Sequence, residues 1–173
     1  MHHQDQTVAL EAANHAVAGA RSNEAGIQEF VTFAIGDDRY GVDIMSVREI
    51  KGWSGVSPLA GQPDFVRGVL NLRGVMVPIV DLRCRFGQGM TDATATHIVI
   101  IVSIADQLVG LLADQVLDIV PYEANKIQPV PRVTRYCDAN LFGGLLTDDD
   151  GMITLIDLSH LAASSDALAS EAA

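Results

Sequence analysis

The chain has 173 residues, 49% of them hydrophobic and 19% charged, which is enough apolar material for one packed domain and too much for a disordered chain. Twenty-two acidic against eleven basic residues leave a net charge of −11, and aromatic residues reach only 5%. The acid excess opposes phosphate backbones and anionic lipid, and so few aromatics offer no stacking platform for single-stranded nucleic acid.

The first 27 residues are Ala-rich, with Gly19 and Gly26 interrupting any helix, so the segment reads as a tail, flexible or partly helical. It carries Asp5 and Glu11 and no basic start before a long apolar block, so no secretory signal is expected. From Glu29 the character changes. In EFVTFAI, Val31, Phe33 and Ile35 share one strand face; Gly36-Asp37-Asp38 is a turn, and Arg39 to Asp43 begins the returning strand. A short helical turn is expected at Ile44–Val47. Further strands are expected at roughly 49–53, 65–72, 75–82, 97–104, 107–116, 127–130, 141–146 and 152–156, rich in Val and Ile and bounded by Gly, Asp, Asn or Pro. A second helical turn is expected at Ser159–Ala163, and residues 164–173 read as a small, polar tail. The longest uncharged apolar runs, Ile98 to Ala105 and Leu108 to Ala113, fall far short of the ~20 residues of a spanning helix. Many short, closely spaced strands make this an all-β chain, built as barrels or a sandwich.

An internal repeat narrows the choice. Gly41 to Ile50 (GVDIMSVREI) aligns without gaps with Gly110 to Ile119 (GLLADQVLDI). Gly74 to Leu82 (GVMVPIVDL) resembles Gly151 to Leu158 (GMITLIDL), with one residue fewer. Two matched segments in the same order predict two similar small β-barrels packed on a shared hydrophobic core, since neither half could bury enough surface alone.

Catalytic and metal signatures are missing. No P-loop, dinucleotide fingerprint, nucleophile elbow, H-E-x-x-H or C-x-x-C occurs. The five histidines (His2, His3, His15, His97 and His160) are scattered, and Cys84 and Cys137 read as two reduced thiols. Asp148-Asp149-Asp150-Gly151 suggests a calcium loop, but its first ligand position falls on Leu146, so a hairpin turn is expected. Asp81, Asp114 and Asp157 close strands before turns and read as caps, with no nucleophile or positioned histidine expected to act with them. No enzyme activity, cofactor or metal is expected. The segment Gly68 to Leu82 stands out as strand, tight turn, strand, with Gly74 at the turn, Pro78 marking an edge or bulge, and Arg73 on the hairpin shoulder, placed to meet a carboxylate.

Asn71-Leu72-Arg73-Gly74 followed by VMVPIVDL resembles the signature of the CheW-type chemotaxis coupling proteins. So do FVTFAIGDDRYGVDIMSVREIKGW, Gly110-Leu111 with Asp114-Gln115-Val116, and Ile127-Gln128-Pro129-Val130-Pro131, over roughly Gln28 to Leu161. The resemblance implies two five-stranded SH3-like barrels in one domain, 28–163, divided near 28–88 and 89–163 with strands free to cross between them. It implies a non-enzymatic cytoplasmic adaptor, peripheral at membrane-associated receptor arrays. Its partners would be the cytoplasmic tips of chemoreceptors, the regulatory domain of the histidine kinase CheA, and further coupling proteins in a ring. Carried onto this chain, the receptor-facing residues would be Val47, Glu49, Asn71 and Arg73. The kinase-facing residues would be Val56 and Leu59, in the Val56-Ser57-Pro58-Leu59 loop start, with a second contact at Val133. Glu49 and Arg73 pairing with each other is the plainer alternative for both, and burial in the core is the alternative for Val56 and Leu59. Two other readings stand beside this one. One is a CheW-like scaffold of a different chemosensory-type pathway. The other is a peptide-binding β module, for which nine aromatics, with Trp53 the one obvious anchor, make thin material.

Overall fold

A computed structural model describes residues 2–19, 26–131 and 139–161. The strands are β1 (Ile27–Ile35), β2 (Asp38–Asp43), β3 (Val47–Gly52), β4 (Val66–Leu72), β5 (Val75–Asp81), β6 (Ile98–Ile104), β7 (Gln107–Ala113), β8 (Gln115–Glu123), β9 (Phe142–Asp148) and β10 (Gly151–Ile156). Helix α1 covers His2–Gly19, α2 covers Leu82–Arg85, and a 3-10 turn spans Ile44–Ser46. The strands form two five-stranded sheets, the first ordered β8-β1-β2-β10-β9 and the second β3-β6-β7-β5-β4.

The sheets obey the repeat. Gly41 of β2 lies beside Leu155 of β10 in a parallel pair, and Gly110 of β7 lies beside Ile79 of β5 in another. Both glycines make room for the aliphatic side chains packed over them. After each glycine the chain leaves its sheet. β2 passes through the 3-10 turn to β3, which pairs with β6, and β7 passes through Asp114 to β8, which pairs with β1. The ungapped repeat therefore spans the two crossovers. The division does not fall between 28–88 and 89–163: the second sheet is the contiguous stretch 47–113, and the first is assembled from the strands on either side of it.

Neither sheet closes into a continuous barrel. Instead, each curls until the segment following one edge strand bridges the opposite edge, at Ser57↔Val69 in the second sheet and Gln128↔Leu145 in the first. The expected strand at 127–130 is reduced to that bridge. Gly68, with φ at +144°, takes the close approach of the Ser57 carbonyl, which a side chain there would block.

Each curl holds a small core of its own. Leu72, Val77, Ile79, Val99, Ile101 and Leu112 fill the second, and Phe30, Leu146, Ile153 and Leu155 fill the first. Between the sheets lies a larger shared core that includes Val31, Phe33 and Ile35, the face expected for β1. This explains the uninterrupted run at Ile98–Val102. Ile98, Ile100 and Val102 face the shared core, and Val99 and Ile101 face the second sheet's own core. Burying a side chain of this size contributes about 1.5–3 kcal/mol.

The segment expected as a tail contains α1, and the helix is docked. Leu10, Ala13 and Val17 pack against the shared core, and Asn14 bonds the backbone of Ile50. The strand expected to end near residue 116 instead turns at Asp114, and β8 runs on to Glu123. The expected turn after Asp157 is present as helix over 158–161.

Candidate partner-docking surface

The distinctive hairpin joins β4 to β5. Leu72 pairs with Val75, leaving Arg73 and Gly74 as a two-residue turn, and both take positive φ, +50° and +89°. Such turns match the right-handed twist of the strands but force φ > 0 on both central residues, which glycine accepts readily and arginine only at a cost. Asn71 supports the turn by accepting the Gly74 N–H on Oδ1 at 2.8 Å.

Curling of the second sheet brings this turn toward the opposite edge strand, β3. There the Arg73 guanidinium meets Glu49 Oε2 at 2.6 Å, while Lys51 Nζ stands 3.8 Å from Oε1 of the same carboxylate. The Arg73 side chain remains 76% exposed and that of Glu49 25%. A pair so open to water holds the fold by only about 0–1 kcal/mol, leaving the guanidinium fork available to another carboxylate. Met76, the cross-strand partner of Asn71, is 57% exposed, and Val75 beside it is exposed as well. Asn71, Arg73, Glu49, Lys51, Val75 and Met76 thus supply a small patch of mixed character. Met76 was overlooked in the sequence. Its signal was the period of two, since Val77 and Ile79 point inward and Met76 must point out.

Val47 is different. It is 2% exposed and belongs to the shared core, so it supports this patch from beneath and offers partners no side chain. The cause is a bulge. Val47 pairs with Val102 but Glu49 pairs with Ile101, and the register shift between them turns the two side chains to different sides.

Of the expected kinase-facing residues, Leu59 is 49% exposed, whereas Val56 is half-buried against the second sheet's own core with Trp53 and Leu70. Val133 lies outside the described residues. Trp53 continues the β3–β6 ladder through its N–H to the His97 carbonyl, and the Arg67 guanidinium lies 6.0 Å from its ring centre. It closes one end of the second sheet.

The acids at the strand ends act as structural caps. Asp81 is wholly buried, accepts the Thr91 hydroxyl and N–H at 2.6 and 2.8 Å, and stands 3.6 Å from Arg67. Asp114, at the second crossover, accepts from the Gly36 N–H and from Arg83, both at 2.7 Å. Asp157 accepts from Ser159 and His160. Burial pushes its carboxyl upward, but the hydrogen bonds from Ser159 and His160 outweigh this and hold it below the ordinary value. The aspartate turn joins β9 to β10, with Asp148 gripped by both terminal nitrogens of Arg39. Burial first, then the nearby Asp81 and Asp64, raise the Cys84 thiol above its ordinary pKa, which disfavours the reactive thiolate. Cys137 lies outside the described residues. Among the described residues no three His, Cys, Asp or Glu side chains gather as a metal site, and no helix is long and apolar enough to cross a membrane.

Residues 29–166 match the CheW-like domain. The chain belongs to that family. It is 40% identical to a probable chemotaxis protein CheW of Rhizobium etli over 82% of this chain and 91% of that protein. It is 36% identical to the chemotaxis protein CheW of Rhizobium meliloti over 87% and 92% of the two chains. The scaffolding protein TtCheW of Thermoanaerobacter tengcongensis has a solved structure that superposes with a TM-score of 0.73 at 33% identity, covering 82% of this chain and 92% of that one. Membership places the chain among the chemotaxis scaffold proteins.

Proposed function

We propose that the chain is a non-enzymatic adaptor, coupling the cytoplasmic tips of chemoreceptors to the histidine kinase CheA at membrane-associated receptor arrays in the cytoplasm. The observation that supports this most is the Glu49–Arg73 pair. It joins opposite edges of one sheet, yet stays open to solvent on a turn whose backbone disfavours arginine. An exposed pair of this kind adds little to stability, whereas a fixed arginine fork beside Asn71, Val75 and Met76 suits recognition of a helix carrying acid and apolar groups. Receptor docking is assigned to Glu49, Asn71 and Arg73, with Val47 supporting them from the core. Kinase docking is assigned to the exposed Leu59, with Val56 holding its loop against the second sheet.

Reconstituting receptor fragment, kinase and this chain, and reading kinase activation, tests the assignment. Arg73→Glu is expected to keep the fold and lose receptor engagement; undiminished binding by the folded variant sinks the receptor assignment. Leu59→Glu is expected to lose kinase binding while receptor binding holds. Loss of both, or of neither, sinks the kinase assignment.

A further inference from the structure

Helix α1 lies wholly outside the family-matched residues 29–166, yet it is seated on the body of the domain, against β3 and β8. Its contacts follow a helical period. Leu10, Ala13, Asn14 and Val17 face the domain, while Val8, Glu11, Ala12 and His15 are exposed. Asn14 does what a neighbouring strand would do at the free edge of β3. Its Nδ2 donates to the Ile50 carbonyl at 2.9 Å, and its Oδ1 accepts the Ile50 N–H at 2.8 Å. Ile50 adjoins Glu49, so α1 sits at the edge of the strand that carries Glu49 of the candidate docking pair.

The footing is narrow. Among the described side chains of α1 only Ala13 is buried, Leu10 and Val17 are half-buried, and Val8 is 64% exposed. The last turn carries no cation to favour the helix end. Little but tethering, which gives α1 a high effective concentration, distinguishes it from a helix of similar pattern supplied by another protein.

We propose that α1 is a strap acting in cis: it fills a groove along β3 and β8 that accepts an amphipathic helix of the receptor tip, and its release opens that groove beside Glu49 and Arg73. This rests on the receptor-docking reading above. The seated helix defines the occupant's chemistry: an aliphatic residue, a small residue three places on, an amide next to it, and a second aliphatic residue seven places on from the first. While the strap is down, apparent affinity for the receptor is reduced by the fraction of molecules in which it is up.

The test compares the full chain with its Ala13→Glu variant, which places a charge under the helix, and with Asn14→Ala. Amide hydrogen exchange should show α1 and the Ile50 N–H losing protection in both variants while the β6 and β7 amides keep theirs. Receptor-fragment affinity should rise, about tenfold if one parent molecule in ten has the strap up. If α1 and the β6–β7 amides lose protection together, α1 is part of the core and the strap is overturned. Release with unchanged or weaker receptor binding overturns it too. Should neither parent nor variants bind any receptor fragment, the docking reading has failed, and a synthetic peptide of residues 2–19 decides the groove separately. Saturable binding of that peptide to Ala13→Glu, lost when the peptide itself carries Asn14→Ala, supports the groove; absence of binding overturns it.

Discussion

The β4–β5 turn of the second sheet and the β9–β10 turn of the first occupy equivalent places in the repeat, and they carry opposite chemistry. Counting from the parallel pairs, Ile79 corresponds to Leu155, Val77 to Ile153 and Met76 to Met152; the first two of each set are buried and the methionines exposed. One turn lifts Arg73 toward Glu49 of β3, and the other holds three aspartates, the first bound by Arg39 of β2. The buried residues that repeat are those that fold the sheets. The residues that differ at the tips are where the two halves can acquire different partners.

The deepest break in the likeness is predicted at the bridging glycines. At Gly68 an added Cβ meets the Ser57 backbone carbonyl more closely than real Cβ atoms allow, and φ is +144° besides. At Gly144, the corresponding position on β9, the nearest obstacle is the Cγ2 methyl of Ile127 at 2.5 Å, and φ is not in the left-handed region. Gly68→Ala should therefore cost about 3 kcal/mol or more, and Gly144→Ala about 1–2 kcal/mol, because a side chain can shift where a bonded backbone cannot. Urea unfolding of both variants checks the order; equal losses would mean that the two bridges are mechanically alike. The crossover glycines form a second contrasting pair. An added Cβ at Gly110 would crowd Ile79 and, at 2.8 Å, Val99, whereas at Gly41 the nearest atom is Leu155 Cδ2 at 3.1 Å. Gly110→Ala is expected to cost about 1–3 kcal/mol and Gly41→Ala about 1 kcal/mol or less, by the same measurement.

Arg73→Asn separates the tip's chemistry from its fold. Asparagine tolerates positive φ better and makes a favoured pair with Gly74, which offsets loss of an ion pair worth about 0–1 kcal/mol. Unfolding free energy should stay within about 0.5 kcal/mol of the parent while receptor-fragment affinity falls about tenfold or more. A loss of stability well beyond that, with binding intact, would make Arg73 a structural residue and erase the functional contrast between the two tips.

These contrasts explain what could be read in advance. The period-two facing of Val31, Phe33 and Ile35 toward the shared core and the two-sided burial of β6 follow from local patterns, and the repeat carried the doubled architecture. The resemblance carries Val47 over beside Glu49, and strict alternation would put both on one face; the bulge that buries Val47 is a property of pairing, invisible in a single strand. The end of β8 escaped because its exposed and half-buried residues, with Pro121 among them, resemble a loop. The seating of α1 escaped because three apolar residues and one asparagine make a weak pattern until the edge of β3 is there to receive them.

The smallest prediction concerns the caps that end the equivalent strands β5 and β10. Asp81 is buried with Thr91 and Arg67, whereas Asp157 is partly exposed and held by Ser159 and His160. Although burial pushes the Asp157 carboxyl upward, its hydrogen bonds hold the folded-state pKa below the ordinary 3.8. A depressed carboxylate contributes stability that is fully present above the unfolded value and is lost as pH falls through the folded one. Asp157→Asn should therefore destabilise the chain by a small, constant amount at neutral pH, and the gap to the parent should narrow only below about pH 4. Urea midpoints of both proteins between about pH 7 and pH 3 measure it. A gap that stays constant to the lowest pH would mean that Asp157 acts through the geometry of its cap and not through its charge, which would bring it closer to its buried counterpart Asp81.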